Sequence, residues 1–154
     1  MAKEIERKFL VDKTKWQAVS KGMLLSQGYL SATENTTVRV RTTADKGFLT
    51  IKGKTQRFSR DEYEYIIPLQ DAQEMLTMCS DKLVTKYRYT EKHNDMLWEI
   101  DVFTDKNEGL IIAEIELTSE EQKFVLPDWV EKEVTGDIRY YNSFLAKTPF
   151  STWE

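Results

Sequence analysis

The sequence predicts a mainly β (α+β) fold in which eight antiparallel strands close into a barrel, with a few helices packed outside. Polar and apolar residues alternate with period two along most of the 154 residues, which is typical of strands. Turn-forming runs such as Asp45-Lys46-Gly47 and His93-Asn94-Asp95 separate the alternating segments. The connections are mostly short, which favours antiparallel neighbours and a closed sheet. The length fits one domain, which we place over residues 1–154.

The alternating segments give eight candidate strands. Each keeps the period-two pattern along its length, and several end at a turn signal. In chain order they are Lys3–Val11, Leu24–Ser31, Thr37–Thr43, Phe48–Gly53, Phe58–Ile67, Leu83–Glu91, Met96–Thr104 and Leu110–Thr118.

Three further segments carry helix signals. Thr14–Lys21 is short and ends before a glycine. Gln70–Asp81 follows a proline and places apolar residues at helical spacing. Asp137–Lys147 begins with an aspartate that can cap the first turn, and it stops before a proline. We expect these helices to pack outside the sheet.

One face of nearly every candidate strand is charged. Residues two apart on a strand share a face. The opposite face is mostly apolar, and Arg7 is the exception on the first strand. The charged face carries, strand by strand, Glu4, Glu6 and Lys8; Arg39 and Arg41; Thr50 and Lys52; Arg60, Glu62 and Glu64; Lys86 and Arg88; Glu99 and Asp101; and Glu114 and Glu116.

This charged face suits the lining of a channel better than a solvated surface. An ordinary sheet with one wet face also alternates, but its charges usually mix both signs with neutral polar residues. Here like charges stand two residues apart, and the sign changes from strand to strand. Like charges at that spacing repel unless a ligand neutralises them. Eight strands are enough for a barrel that holds a small ligand, so we expect the apolar face to point outward beneath the helices.

The inward charges favour a metal and a polyphosphate. Six cations and eight carboxylates would face the channel, with Arg60 set apart near the rim. A net anionic channel is costly without a bound cation, and a triphosphate chain carries about five negative charges near neutral pH. The sequence holds one histidine and one cysteine, so mainly carboxylates must hold the metal, which points to Mg²⁺, Mn²⁺ or Ca²⁺, and we expect Mg²⁺ or Mn²⁺ as the cofactor. Pairs such as Arg39 with Arg41 match anion clamps.

Composition argues against several classes of partner. The formal net charge is −4, which argues against nucleic acid. No apolar run approaches the ~18 residues that cross a bilayer, and the charged start Met1–Lys8 is not a signal peptide. The single cysteine, Cys79, fits a reducing compartment, so we expect a cytoplasmic protein without membrane partners. The apolar outer face and four tryptophans permit a homodimer.

The charged motifs also occur in a characteristic order. Each pair alone is a weak signal, but the ordered set covers essentially the whole chain. The motifs are Glu4-x-Glu6-x-Lys8, Arg39-x-Arg41, Thr50-Ile51-Lys52-Gly53, Arg60-x-Glu62-x-Glu64, Lys86-x-Arg88, Glu99-x-Asp101 and Glu114-x-Glu116. They resemble the CYTH family, also called the triphosphate tunnel metalloenzymes, and most of all its small bacterial tripolyphosphatase group. The tail from Glu133 to Ala146 resembles the closing segment of that family.

The resemblance implies an eight-stranded tunnel that binds a triphosphate and a divalent metal, with roles for individual residues. It assigns phosphate binding to Lys8, Arg39, Arg41, Lys52, Lys86 and Arg88. It assigns metal binding to Glu4, Glu6, Glu114 and Glu116, with Glu64 and Asp101 as further candidates. It implicates Lys8 and Tyr29, the latter in Gln27-Gly28-Tyr29-Leu30, in hydrolysis.

Two of these roles stay open in the sequence. Tyr29 equally fits an aromatic side chain that only packs. Lys8 is a general base if neighbouring cations lower its pKa, and only a phosphate ligand if carboxylates keep it charged.

We therefore expect metal-dependent hydrolysis of inorganic triphosphate (tripolyphosphate), or of a related organic triphosphate, inside a charged β-tunnel. One alternative is an adenylate cyclase that converts ATP to cyclic AMP and pyrophosphate, with Phe48, Phe58, Trp98 or Trp129 stacking the base. Another alternative is a triphosphate- or polyphosphate-binding protein without turnover.

Overall fold

In the described residues, 3–79 and 82–153, the computed structural model has eight antiparallel strands closed into a barrel and a ninth short strand at one edge. The strands are β1 (Lys3–Val11), β2 (Met23–Ala32), β3 (Thr36–Thr42), β4 (Gly47–Gly53), β5 (Ser59–Ile67), β6 (Leu83–His93), β7 (Met96–Phe103), β8 (Ile111–Glu116) and β9 (Val130–Glu133). The helices are α1 (Leu69–Thr77) and α2 (Asn142–Lys147), and 3₁₀ turns occur at Asp105–Asn107, Ile138–Tyr140 and Phe150–Thr152.

The strand order confirms the predicted closure. Around the barrel it runs β1-β5-β4-β3-β2-β6-β7-β8, and β8 returns to β1. The β1–β5 pairing completes the ring, with Glu4 opposite Arg60. β9 pairs with β1 on the side opposite β8. The β6–β7 hairpin turns through Asn94 and Asp95, whose φ angles of 50° and 62° are those of the predicted tight turn.

The prediction of a helix over Thr14–Lys21 is wrong. The segment forms turns and irregular structure instead. The Asp12 carboxylate accepts a hydrogen bond from the Thr14 backbone N–H at 2.9 Å, which gives the backbone a non-helical partner. The Trp16 indole N–H donates to the buried Glu91 carboxylate at 2.6 Å, so side chains fix the segment to the barrel. A helix of eight residues gains too little from its own hydrogen bonds to compete.

The helix predicted over Gln70–Asp81 is present but shorter. It is α1, which ends at Thr77, and Asp81 lies outside the described residues. β9 has no counterpart among the predicted strands, because its four residues are too few to establish an alternation. No helix in residues 3–79 or 82–153 has the length and apolar composition needed to cross a bilayer.

The helix predicted over Asp137–Lys147 is divided in two. The Ile138–Tyr140 3₁₀ turn precedes α2, and Tyr141 between them is extended, with φ −74° and ψ 139°. Asp137 caps the 3₁₀ turn as predicted for the start of the helix, since its carboxylate accepts from the Arg139 N–H at 3.1 Å.

The main apolar core lies outside the barrel. Outward residues of β1, β7 and β8 form it, and Phe124 and Trp129 from the connection after β8 cover it. Trp98 is fully buried there, with its ring centroid 5.6 Å from that of Trp129 and 5.9 Å from that of Phe124. The expectation that helices cover this face is therefore wrong for β1, β7 and β8, where an aromatic-rich connection takes their place.

α1 covers a different part of the outer surface, over β3 and β4. Ala72 packs with Val40 and approaches the sheet so closely that a Cβ at Gly47 would lie 2.6 Å from it. A Cβ at Gly28 would likewise lie 2.6 Å from the Cys79 Cβ. Glycine at these two positions lets the α1 region lie directly on the strands.

Arg7, the charged exception on the apolar face of β1, is held by aromatic rings and one carboxylate. Its guanidinium lies 5.7 Å from the Phe58 ring centroid and 5.2 Å from that of Phe124. It donates two hydrogen bonds to Glu133 on β9, at 2.8 and 2.7 Å. The charge therefore serves to attach β9 to the barrel.

α2 closes one end of the barrel interior. Val84, Phe103 and Ile112 each stand two residues from a charged inward side chain and share its face. They pack with Leu145 and Ala146 of α2 into a second apolar cluster. The interior is therefore apolar at this end and charged along the rest of its length.

We expect Leu145→Ala to lower the free energy of unfolding by about 2–5 kcal/mol, because it empties a fully buried position beneath the barrel end. The matched control is Ile138→Ala, which removes as many carbons from a side chain that is 64% exposed and should change stability by less than about 0.5 kcal/mol. Urea unfolding followed by tryptophan fluorescence measures both. Equal losses in the two variants would mean that α2 does not close the barrel.

Candidate active site

A cavity of about 200 Å³ lies inside the barrel, and side chains from all eight barrel strands line it. The charged face therefore points inward, as predicted. Among the described residues, seven basic and seven acidic side chains line the cavity together with Tyr29, Thr37, Tyr141, Asn142 and Ser143. The charged residues are Lys8, Arg39, Arg41, Lys52, Arg60, Lys86 and Arg88, with Glu4, Glu6, Glu62, Glu64, Glu99, Glu114 and Glu116.

Two charges lie differently from what the sequence suggests. Arg60 belongs to the cavity wall and not to the rim, with its side chain 18% exposed. Asp101 is buried within the wall, with its side chain 1% exposed. The formal charges that line the cavity therefore balance, where the sequence predicts an anionic excess.

Asp101 is held by two of the predicted phosphate ligands. Lys86 Nζ lies 2.7 Å from its Oδ2, and Arg88 donates to both carboxylate oxygens at 2.8 and 2.9 Å. Burial would favour the neutral acid, but Arg88 and Lys86 outweigh it and hold the pKa of Asp101 well below its usual range. Both oxygens of Asp101 are therefore engaged by the two cations.

Arg39 and Arg41 converge on Glu64. One oxygen of Glu64 lies 3.4 Å from the Nη2 atom of each arginine and accepts a hydrogen bond from Thr50 Oγ1 at 2.8 Å. Within the described residues, the buried Nε atoms of both arginines have no hydrogen-bond partner. Burial and the neighbouring Arg39 charge lower the pKa of Arg41. Two arginines therefore share one carboxylate oxygen in this part of the cavity wall.

Glu4 is the carboxylate most firmly held by cations on β1. Both of its oxygens lie 3.2 Å from Lys52 Nζ, and Oε1 lies 3.3 Å from Arg60 Nε. Burial alone would raise the pKa of Glu4, but Lys52 and Arg60 outweigh it and bring the value to about 2. Glu4 is therefore charged in the ligand-free protein.

Glu6 and Glu114 compete for Lys8. Lys8 Nζ lies 3.6 Å from Glu114 and 3.9 Å from Glu6. Burial and repulsion from Glu114 and Glu4 raise the pKa of Glu6 to about 8. Burial opposes the charge on Lys8, but Glu114 and Glu6 raise its pKa above the usual value. Lys8 therefore stays protonated at neutral pH, while Glu6 holds a proton that a nearby cation would displace.

The carboxylates suit a divalent cation in their chemistry, although they do not form a ready-made cage. Across residues 3–79 and 82–153, no three Asp, Glu, His or Cys side chains stand close enough to hold an ion by themselves. Glu6, Glu114 and Glu116 nevertheless line one cavity, and burial with like-charge repulsion raises the pKa of Glu6 and of Glu116. A hard divalent cation relieves such repulsion, so these residues fit one if a ligand supplies further oxygens.

Tyr29 both packs and lines the cavity. Its ring belongs to the apolar cluster beneath α2, and the residue is 5% exposed. Its hydroxyl oxygen accepts a hydrogen bond from Gln27 Nε2 at 3.0 Å, and burial raises its pKa. The ring of Tyr29 therefore packs, while a role of its hydroxyl in hydrolysis stays a prediction. Gln27 is not among the predicted site residues, although its position two residues before Tyr29 on the same face could have revealed it.

The residues at the start of α2 are also absent from the predicted site. The Tyr141 ring centroid lies 5.2 Å from Lys8 Nζ and 5.7 Å from Arg60 Cζ. Asn142 Oδ1 accepts from Lys86 Nζ at 3.2 Å. These contacts depend on where α2 docks, which the period-two pattern of the strands does not encode.

The four aromatic residues that would stack a nucleobase in the adenylate cyclase alternative are placed unfavourably for that role. Trp98 and Trp129 are buried in the core outside the barrel, so the expectation that either stacks a base is wrong. Phe58 packs against the same outer core, and Phe48 lies beneath the Arg41 guanidinium at 4.9 Å. The inner wall is lined by charged and polar groups instead.

Comparison with known proteins is consistent with a barrel that has a charged inner wall. The model of the CYTH domain family matches residues 2–143. The chain belongs to the CYTH family. The inorganic triphosphatase of Acetivibrio thermocellus is 46% identical to this CYTH-domain protein over 155 residues, which cover 100% of this chain and 99% of that one. The inorganic triphosphatase of Nitrosomonas europaea is 37% identical over 147 residues, which cover 93% and 96%.

Solved structures share the same barrel. The crystal structure of an inorganic triphosphatase matches the CYTH-domain protein with a TM-score of 0.68 at 35% identity, covering 93% of this chain and 97% of that chain. A candidate adenylate cyclase from Bacillus halodurans matches with a TM-score of 0.61 at 18% identity, covering 79% and 84%. The second likeness supports the fold alone.

We expect Glu6→Gln to stabilise the metal-free protein more at pH 8 than at pH 5. Folded wild type keeps a proton on Glu6 up to about pH 8, whereas the unfolded chain releases it near pH 4.5. Wild type therefore loses stability as the pH rises between these values, and glutamine escapes that loss. The gain should be on the order of a few kcal/mol at pH 8 and vanish near pH 4.5.

Urea unfolding in EDTA across this pH range measures the gain. The control is Glu131→Gln on β9, which removes an exposed carboxylate and should change stability little. A gain that does not grow with pH, or a loss of stability in Glu6→Gln, would show that Glu6 is a stabilising ion-pair partner.

Proposed function

We propose that this CYTH-domain protein hydrolyses inorganic triphosphate inside the barrel, in a metal-dependent reaction that releases orthophosphate. The observation that carries the proposal is the small charged cavity, whose wall among the described residues carries seven basic side chains with hydrogen-bond donors, Arg39 and Arg41 among them. A compact linear anion with many oxygens satisfies several such donors at once. The two curated relatives named inorganic triphosphatases, at 46% and 37% identity, support the same substrate.

The basic residues would bind the phosphate chain by exchanging their carboxylate partners for phosphate oxygens. The contacts of Arg39 and Arg41 with Glu64 are long, at 3.4 Å, so phosphate oxygens can replace the carboxylate at small cost. Phosphoryl transfer depends mainly on positioning and on neutralising charge on the transferred group. We assign these contacts to Lys8, Arg39, Arg41, Lys52, Lys86 and Arg88.

The divalent metal would be held by the acidic side of the cavity. When bound, it would neutralise phosphate oxygens and lower the pKa of a water molecule. Because Glu64 and Asp101 are engaged by arginines, we infer that they position those arginines. We assign metal binding to Glu4, Glu6, Glu114 and Glu116.

Lys8 and Tyr29 would act on the substrate in different ways. The raised pKa of Lys8 supports a charged phosphate ligand rather than a general base. The raised pKa of Tyr29 keeps its hydroxyl protonated, so it can donate a hydrogen bond to a phosphate oxygen or to the attacking water.

A nucleotide fits the cavity less well than a bare triphosphate. Sites for drug-sized ligands usually enclose about 300–1,000 Å³. The cavity here is about 200 Å³, and two of the aromatic residues considered for base stacking lie outside the barrel. The adenylate cyclase alternative is therefore less favoured and becomes one arm of the test.

A screen of phosphate release tests the proposal. The substrates are tripolyphosphate, pyrophosphate, ATP and thiamine triphosphate, each with Mg²⁺, Mn²⁺ or EDTA. We expect tripolyphosphate with metal to be fastest, and Arg39→Ala to slow it about tenfold or more, since a charge-assisted contact is worth ~1.5–3 kcal/mol. Cyclic AMP from ATP would indicate a cyclase, and tight binding without turnover in either metal would indicate a binding protein.

We expect Lys8→Arg to keep more than about a tenth of wild-type activity, whereas Lys8→Met should lose about 30-fold or more, because arginine retains the charge and methionine does not. The measurement is kcat for tripolyphosphate between pH 6 and 10. Arginine cannot give up its proton. Equal inactivity of the two variants, with a wild-type rate that falls steeply in acid, would restore the general-base role.

We infer a cytoplasmic location and a single CYTH domain over residues 1–154. The free Cys79 thiol is buried and fits a reducing compartment. Homodimer formation stays a prediction from the apolar outer surface.

A further inference from the structure

Gln27 is a fully buried amide on the inner face of β2, two residues before Tyr29. Its Nε2 atom lies 3.0 Å from the Tyr29 hydroxyl oxygen. In the part of the chain that the structure describes, its Oε1 atom has no hydrogen-bond partner. Burying a half-satisfied amide costs free energy that an apolar side chain of similar size avoids. A role for the contact between Gln27 and Tyr29 would explain why this position holds an amide rather than an apolar side chain.

That contact restricts where the Tyr29 hydrogen points. A phenol has one hydrogen to donate, and its oxygen accepts. Gln27 Nε2 donates to that oxygen, so the Tyr29 O–H cannot donate back to the same nitrogen. Burial raises the pKa of Tyr29, so the hydrogen is retained at neutral pH. The Tyr29 ring is packed beneath α2 while the residue lines the cavity, which leaves the O–H available to the cavity.

The strand register puts this pair beside the arginines. Tyr29 stands opposite Arg39, and Gln27 stands opposite Arg41, on the neighbouring strand β3. The amide, the phenol and the two guanidinium groups therefore share one part of the barrel wall. A phosphate group bound by Arg39 and Arg41 would therefore lie near the Tyr29 hydroxyl.

We propose that Gln27 is a positioning residue that donates to the Tyr29 oxygen and directs the Tyr29 O–H toward the bound phosphate or the attacking water. The proposal rests on the triphosphatase function proposed above. It also separates Gln27 from the phosphate ligands, because Gln27 acts through Tyr29 and not on the substrate.

A double-mutant cycle tests this role. Gln27→Met fills the same space without a donor, and it should lower kcat for tripolyphosphate about three- to tenfold, the range of one hydrogen bond. KM should stay within about twofold, because the phosphate ligands are unchanged. In the Tyr29→Phe background, which lacks the hydroxyl, the same substitution should change kcat by less than about twofold. Gln73→Met on the exposed side of α1 is the matched control and should leave kcat unchanged.

The outcomes separate the two proposals. An equal loss of kcat in the wild-type and Tyr29→Phe backgrounds would show that Gln27 serves packing alone and would overturn its positioning role. Wild type that releases no phosphate from tripolyphosphate would remove the proposed function and this role together. Thermal melting of each variant ensures that folded protein is compared. Gln27→Leu, which also lacks a donor but differs in shape, replaces methionine in the cycle if Gln27→Met does not fold, with the same two outcomes.

Discussion

The burial of charge inside a barrel is the constraint on which the rest of this structure depends. Each ion removed from water costs several kcal/mol unless partners compensate it. The wall supplies those partners across neighbouring strands, as Lys86 and Arg88 do for Asp101 and as Lys52 does for Glu4. Strand alternation then sends the apolar side chains outward. They are buried beneath an aromatic-rich connection, where Trp98 packs with Trp129. The unusual arrangement of an apolar core outside a charged interior follows from this single requirement.

The buried charges are not compensated equally around the barrel wall, and this difference distinguishes two parts of the wall. Asp101 is engaged at both oxygens by two cations, so its charge is compensated before any ligand arrives. Around Lys8 the balance fails, because one ammonium group serves Glu114 and Glu6 and the pKa of Glu6 rises to about 8. A site that is stable when empty needs fully compensated charges, such as that of Asp101. A site that gains from binding a cation needs under-compensated carboxylates, such as those around Lys8.

Period-two alternation was sufficient to predict the eight barrel strands, the inward charged face and nearly every charged residue of the cavity. It could do so because a strand has only two faces, and a charged residue placed on one face determines its neighbours two positions away. Elements that depend on tertiary contacts were less accessible. The segment around Trp16 is irregular because its indole bonds to Glu91, 75 residues away. Likewise, α2 brings Asn142 and Tyr141 to the cavity through docking that no strand pattern records. Arg60 and Asp101 show a third limit, since alternation gives the face of a residue but not whether its charge reaches the cavity.

If the protein acts as proposed, the same pairing would let the wall discriminate among anions. Before substrate binds, Glu64 already lies between Arg39 and Arg41, and Glu114 lies beside Lys8. An anion must therefore outcompete carboxylates for these cations, which a singly charged ion does poorly and a chain of phosphates does at several positions together. In the proposed reaction, a carboxylate released from lysine, such as Glu114 from Lys8, would become available to a divalent cation, and the cation in turn would lower the cost of releasing it. Binding of phosphate and binding of metal would then reinforce each other by the same factor, since such coupling is reciprocal. A wall of paired opposite charges thus favours a metal–polyphosphate complex over either component alone.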